Sequence, residues 1–264
     1  MNKYYGVFQI LKENYPQSIN ECPLYYKEAA KFYDRIAITY DDYPMFQEQA
    51  ILHGGPILEL CCGSGRLTLP LAKAGFKITA VDLSEDMLST LQSSLYRKYR
   101  RVKDNVTYVQ ADMTKLELDE KFNFIMIGAT SIRLMENDFT DFFNQMYDLL
   151  NPNGCFYFNF EDLPIKNDVD IVNEPLYMGV FDDANGNPVI VNMLRIFQYS
   201  EKHATVNFIS FSPDTDEKML LSHTEYRIFG IDDIKESAEK SAFGKCEIIP
   251  TKEQGNYFCK MVKR

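Results

Sequence analysis

The stretch that most constrains the fold is 56–82, Pro-Ile-Leu-Glu-Leu-Cys-Cys-Gly-Ser-Gly-Arg-Leu-Thr-Leu-Pro-Leu-Ala-Lys-Ala-Gly-Phe-Lys-Ile-Thr-Ala-Val-Asp. The apolar run Ile57 to Cys62 reads as a buried strand, Gly63 and Gly65 as a tight turn, and Leu67, Leu71 and Ala74 as one face of a helix. A second apolar run, Phe76 to Val81, ends in Asp82. The unit is therefore βαβ, with parallel strands, a right-handed crossover and an acid at the tip of the second strand.

Glycines at 63 and 65 let a backbone approach a ligand closely, and an acid at 82 can accept both hydroxyls of a ribose. A nucleoside cofactor is implied. A dinucleotide fingerprint would place a third glycine where Thr68 stands. Glu59, four residues before Gly63, would repel a pyrophosphate and suits a cationic ligand.

With Glu59, Gly63 and Gly65 in the pattern Glu-x-x-x-Gly-x-Gly, the sequence resembles the class I S-adenosylmethionine-dependent methyltransferases. The resemblance continues through Asp82-Leu83-Ser84-x-x-Met87 and Gln110-Ala111-Asp112-Met113, and covers about residues 30 to 160 well. It implies a Rossmann-like seven-stranded α/β sheet, mostly parallel and closed by an antiparallel hairpin. It implies S-adenosyl-L-methionine as cofactor and S-adenosyl-L-homocysteine as product. The cofactor-binding positions it implies are Tyr33, Tyr40, Glu59, Cys61, Gly63, Ser64, Gly65, Arg66, Asp82, Leu83, Met87, Ala111, Asp112, Met113 and Gly128. In related small-molecule enzymes a Tyr-Asp pair, here Tyr33-Asp34 or Tyr40-Asp41, lies over the methionine half of the cofactor. A phenol near a sulfonium offers cation–π attraction, while packing of these tyrosines on the sheet is the competing reading.

A net charge of −10 and a pI near 4.9 argue against phosphate neutralisation, so a nucleic-acid substrate is not expected. The basic run Arg97 to Lys103 follows a helix, where cations oppose its dipole. The six cysteines form no Cys-x-x-Cys pair and read as core thiols of a reducing cytoplasm. No segment has the length and apolarity of a signal peptide or membrane span, so a soluble protein is expected, as monomer or homodimer.

Residues 1–50 are tyrosine-rich, with helical spacing around Tyr26, Ala29, Ala30, Tyr33 and Ile36, and read as an N-terminal helical cap. The core is expected over 51–160 and 230–264. Within it, Ser84 caps a helix running to about Tyr99 with Leu88, Leu91 and Leu95 inward; Val106 to Val109 and Phe122 to Ile127 are strands. Phe139, Phe142, Phe143, Met146 and Leu149 face inward from the helix after Asp138, and Asn151-Pro152-Asn153-Gly154 stops it before a strand over Cys155 to Phe160. Residues 161–229 read as an inserted antiparallel sheet on the acceptor side: four strands over Tyr177–Phe181, Val189–Tyr199, Ala204–Phe211 and Met219–Phe229, with Asn185-Gly186 as one hairpin turn. A helix over Gly230 to Phe243, with Ile231, Ile234, Ala238 and Ala242 inward, then leads to a hairpin of Cys246–Ile249 and Tyr257–Val262.

Methyl transfer from a sulfonium is an in-line displacement that needs alignment and exclusion of water, not a covalent catalyst. A neutral amine needs no base, whereas a hydroxyl does. Candidates on the acceptor side are Tyr40, Arg133 and Glu161, the last two just beyond strands, and His223 beside Glu225. Metal-ligand spacing is absent, so no metal is expected. The reading is methyl transfer to nitrogen or oxygen of a small molecule, an amine slightly favoured, with a peptide or protein amine as the alternative. From other classes, a non-catalytic cofactor-binding partner protein and a nucleotide-dependent oxidoreductase remain, the latter disfavoured by Thr68, Glu59 and Asp112.

Overall fold

The computed structural model describes residues 3–30, 42–163, 171–182, 187–213 and 215–264. Tyr33, Asp34, Tyr40, Asp41 and the Asn185-Gly186 turn lie outside these residues. The chain forms two compact units, Met1–Ile38 with Ile165–Ile228, and Thr39–Pro164 with Phe229–Arg264.

The first unit contains α1 (Val7–Asn14), β1 (Ile19–Glu21) and, from the later segment, β7 (Ile171–Asp182), β8 (Pro188–Gln198), β9 (His203–Phe211) and β10 (Met219–Arg227). Their order is β1-β10-β9-β8-β7. Four of these are the expected antiparallel strands, each next to its sequence neighbour, although β7 starts six residues earlier than the alternation at Tyr177 suggested, at Ile171. The N-terminal segment is not purely helical: β1 joins β10 in parallel, Ile19 opposite Met219. Tyr4, Phe8, Ile19, Ile209 and Leu221 form the small core under that edge.

The second unit holds α2 (Tyr43–His53), β2 (Ile57–Leu60), α3 (Thr68–Lys73), β3 (Ile78–Asp82), α4 (Glu85–Arg97), β4 (Val106–Gln110), β5 (Phe122–Ile127), α5 (Phe139–Leu149), β6 (Leu150–Glu161), α6 (Ile231–Lys240), β11 (Glu247–Pro250) and β12 (Asn256–Val262). The seven strands run β11-β12-β6-β5-β2-β3-β4. β2 through β6 pair in parallel, and β12 lies antiparallel to both β6 and β11. Both faces are covered, as parallel sheets require. Leu58, Leu60, Ile125 and Ile127 face α5 and α6, with Phe142, Phe143 and Ile234, while the alternate residues Ile57, Phe124 and Met126 face α2, α3 and α4, with Phe46, Leu71 and Leu91.

Local details differ from the sequence expectation. β2 ends at Leu60 because Cys61 turns left-handed at φ 54°. Ala74 and Ala242 are exposed; Ala72 and Phe243 fill those places in the core. The 151–154 segment is not a separate stop: β6 already begins at Leu150 opposite Phe122, and the left-handed Asn153 shifts register so that Cys155 meets Phe124.

Candidate active site

The topological switch falls between β2 and β5, neighbours in the sheet whose chain directions of progress diverge, and ligands of open α/β sheets bind in the crevice at the carboxyl ends there. Three of the six non-glycine residues at positive φ among the described residues stand at the same ends. Cys61 after β2, and Ala129 and Thr130 after β5, are non-glycine residues at φ 54°, 52° and 55°. Such conformations persist where surrounding contacts over-determine them, often at functional sites.

Asp82, at the tip of β3, ties the turn together: Oδ2 accepts from Gly63 N at 2.7 Å and Oδ1 from Ser84 N at 2.9 Å. Burial raises its carboxyl above the ordinary value, opposed by the N–H groups of Ser84, Gly63 and Leu83. A carboxylate has about four lone-pair sites, so two bonds leave room for hydroxyl donors. Leu83 beside it is 58% exposed, a large apolar side chain open at the edge.

The two glycines serve different ends. Gly63, at φ +56°, would carry a Cβ into open space, with nothing within 4 Å, as a site for close ligand approach requires. Gly65, also at positive φ (+94°), is needed for packing as well: a Cβ there would stand 2.4 Å from Leu91 Cδ1 and 3.2 Å from Leu69 Cγ, so the residue lets α3 and α4 close on each other.

Glu59 shares the face of Ile57 and is 2% exposed. Thr68 Oγ1 donates to its Oε2 at 2.5 Å, so the residue in the place of a third glycine is this acid's partner. Burial pushes the Glu59 carboxyl up to about 8, against the Thr68 hydroxyl and the Arg66 guanidinium; Asp42 and Asp82 act in the same direction as burial. Cys61 Sγ lies 3.4 Å from Met113 Sδ, and burial with the neighbouring acids Asp82, Asp112 and Glu59 raises its thiol. Such a thiol is a poor nucleophile.

After β4, Asp112 Oδ1 accepts from Thr114 N at 2.9 Å and Thr114 Oγ1 at 2.7 Å, capping a short turn. Slight burial works upward, but the two Thr114 donors prevail and hold its carboxyl below the ordinary range. Ala111 N donates to Asp82 O at 3.1 Å, joining the ends of β3 and β4. Met87 is buried in α4, its N–H donating to the Ser84 cap, and Ser64 lies half-exposed in the turn.

Arg66 projects from the same turn and forks onto Asp42, through an Nη1–Oδ1 pair and Nη2 to Oδ2 at 2.9 Å. Gly128 makes room: a Cβ there would meet Leu67 Cδ1 at 2.5 Å and Arg66 Nη2 at 3.3 Å. Beyond β5, Arg133 Nη1 donates at 2.9 Å to Oε2 of Glu161, the last residue of β6, with Arg133 6% exposed. His223 belongs to the other unit, where its Nδ1 is 3.3 Å from Tyr4 Oη. Burial, with Lys3 as the next cause, lowers its imidazole, against Glu225 and Glu21.

The structure thus gathers Glu59, Cys61, Gly63, Ser64, Gly65, Arg66, Asp82, Leu83, Ala111, Asp112, Met113 and Gly128 at or beside the carboxyl ends of four adjacent strands, with Met87 in the adjoining helix. Asp42 and Asn159 were missed. Asn159 is the polar interruption in the run Cys155 to Phe160, and Arg66 in a buried turn calls for an acid partner; those were the available signals. Acids at the tips of consecutive strands around an open glycine fit a nucleoside bearing a positive charge better than a pyrophosphate. Among the described residues, no group of three or more His, Cys, Asp or Glu could hold a metal, and no helix is long and apolar enough to cross a membrane.

The strand order, with its antiparallel closing pair, defines a class I methyltransferase fold. Residues 57–154 match the methyltransferase domain family. The putative methyltransferase YqeM of Bacillus subtilis (strain 168) is 30% identical over 139 residues, covering 51% of this chain and 54% of that protein. The chain spans about half the length of the curated relatives it matches. Among solved structures, the CcbJ methyltransferase of Streptomyces caelestis superposes with a TM-score of 0.73 at 17% identity, over 90% of this chain and 97% of that one. The glycopeptide N-methyltransferase MtfA, in complex with S-adenosyl-L-homocysteine, gives 0.62 at 18% identity over 99% of each. Residues 57–154 are therefore a methyltransferase domain, and the fold is one shared with solved S-adenosylmethionine-dependent methyltransferases.

Proposed function

We propose that the chain transfers a methyl group from S-adenosyl-L-methionine to the amine nitrogen of a small molecule. The observation that carries this reading is the acid-lined edge, with Glu59, Asp82 and Asp112 at the ends of three adjacent strands around the open Gly63 turn. When bound, the cofactor supplies a methyl group on a positively charged sulfur. In this reading Asp82 accepts from the ribose hydroxyls, Asp112 from the adenine amino group, and Leu83 covers the base. Glu59 and Thr68 shape the turn from beneath, while Cys61, Ser64, Arg66, Ala111, Met113 and Gly128 line or support it, and Met87 anchors the adjoining helix.

The chain's share of the chemistry is to bind, orient and keep water out. An amine that arrives neutral needs no proton removed beforehand, in keeping with an edge where the available side chains are committed to pairs, Arg133 with Glu161 and Arg66 with Asp42. Arg133 and Glu161 are the acceptor-side candidates of this unit. The N-methyltransferase name of MtfA, which aligns end to end, supports nitrogen over oxygen.

The test is product formation from S-adenosylmethionine against a panel of small amines and matched alcohols, read as S-adenosylhomocysteine release and as mass gain of the acceptor. Turnover with amines alone is expected. Turnover confined to alcohols would overturn the nitrogen assignment, and binding without turnover on any acceptor would favour a non-catalytic partner role.

A further inference from the structure

The most heavily bonded acid at this edge belongs to none of the motifs. Asp42 directly precedes α2 and is 7% exposed, yet its side chain makes no capping bond to that helix. Its carboxylate accepts from three other segments: the Arg66 fork from the glycine turn, Ala129 N at 3.2 Å from the turn after β5, and Asn159 Nδ2 at 3.1 Å from β6. Asn159 Oδ1 then accepts from Thr130 N at 2.8 Å. The two successive left-handed residues, Ala129 and Thr130, are therefore each held by one member of an Asp42–Asn159 pair.

A buried ion pair is weak as a source of stability, because desolvating both charges offsets their attraction; what it fixes is geometry. Here the convergence needs a carboxylate. Every group facing Asp42 in these contacts is a donor, and a carboxylate accepts at both oxygens, whereas a carboxamide would turn an N–H₂ toward one of them. We propose that Asp42 is a positioning residue of the cofactor site, setting the Arg66 side chain and the 128–130 turn against the Gly63 turn. The proposal rests on the methyl-transfer reading above.

The test is calorimetric titration of the full chain with S-adenosylhomocysteine, beside the thermal midpoint of the ligand-free protein. Asp42→Asn should raise the dissociation constant about tenfold or more, the scale of a lost hydrogen bond to a charged group. The double variant Asp42→Asn with Arg66→Ala should bind within about threefold of the weaker single variant, a non-additivity that independent sites would not show. A purely structural role would lower the midpoint and leave the affinity of the folded chain unchanged. Unchanged affinity in Asp42→Asn, or losses that simply add in the double variant, overturns the proposal while leaving the cofactor reading intact. A parent chain that does not bind S-adenosylhomocysteine overturns both. Should Asp42→Asn fail to fold, Asn159→Ala removes one arm alone and should weaken binding at least about threefold; no change there overturns the proposal.

Discussion

The carboxyl edge of the seven-stranded sheet and the five-stranded sheet of the other unit both bury polar side chains, but of different kinds. At the edge they are acids and an arginine: Glu59, Asp42 and Arg133 are 2%, 7% and 6% exposed, each with a hydrogen-bonded partner. In the five-stranded sheet they are mostly neutral, Asn207, Thr205 and Ser222 at 0%, 1% and 2%. There Asn207 Oδ1 accepts from Tyr5 N at 2.9 Å and its Nδ2 donates to Lys3 O at 2.7 Å, fastening the N-terminal segment to the sheet. A neutral amide is enough to hold a chain. Buried charge is the costlier device, and it gathers here where loops must be fixed around a polar ligand.

The contrast can be broken at Asp82 first. Asp82→Ala removes the acceptor of Gly63 N and Ser84 N together with the proposed ribose contact, and should weaken S-adenosylhomocysteine binding by about 1.5–3 kcal/mol in calorimetry. Unchanged affinity would remove the residue from the site. The glycines separate next. Gly65→Ala adds a Cβ clash with Leu91 to the strain of its own positive φ and should cost about 2–3 kcal/mol or more in denaturant unfolding, whereas Gly63→Ala meets no atom and should cost only the roughly 1–2 kcal/mol of its left-handed backbone while impairing ligand binding. If Gly63→Ala left binding intact, the ligand would not approach that face.

On the other side of the comparison, Asn207→Ala strands Tyr5 N and Lys3 O and should destabilise the protein by about 1–3 kcal/mol, with a smaller loss of cofactor affinity than Asp82→Ala. The reverse ranking would mean that the five-stranded sheet contributes to cofactor binding as strongly as the acid edge.

Stability should also slope with pH. The Glu59 carboxyl rises from 4.5 to about 8 on folding, so the folded chain holds this proton more tightly than the unfolded one. The associated stability is fully present below about pH 4.5 and is lost as pH rises through about 8. Glu59→Gln should flatten that part of the stability profile in the ligand-free chain. A profile as steep as the parent's would mean that Glu59 ionises freely despite its burial.

The sequence is readable where contacts are local and opaque where they are not. Strand β2, the glycine turn and β3 lie within 26 residues of one another and pair through one short helix, so apolar periodicity and two glycines were enough. The four antiparallel strands β7 to β10 were readable for the same reason, each pairing with its neighbour in the chain. Strand β1 was not, because three residues carry little alternation and its partner lies 200 positions on, at Met219. The Asp42 network was hidden likewise: its partners stand 24, 87 and 117 residues away. Thr68 could be recognised as a departure from a dinucleotide fingerprint, but its bond to Glu59 required the helix phase that brings the hydroxyl beneath the strand. Ala74 and Ala242 were placed inward by spacing, but the helices end at Lys73 and Lys240, and alanine is too small to enforce a face past those ends.

The central claim is that the acid-lined edge is built for a sulfonium nucleoside. Thermal unfolding with S-adenosylhomocysteine, beside the same titration with NAD, tests it most directly, since a ligand of the native state at a hundred times its dissociation constant adds about 2.7 kcal/mol. A rise with S-adenosylhomocysteine and none with NAD is the expected result. A rise with NAD alone, or with neither, would contradict it.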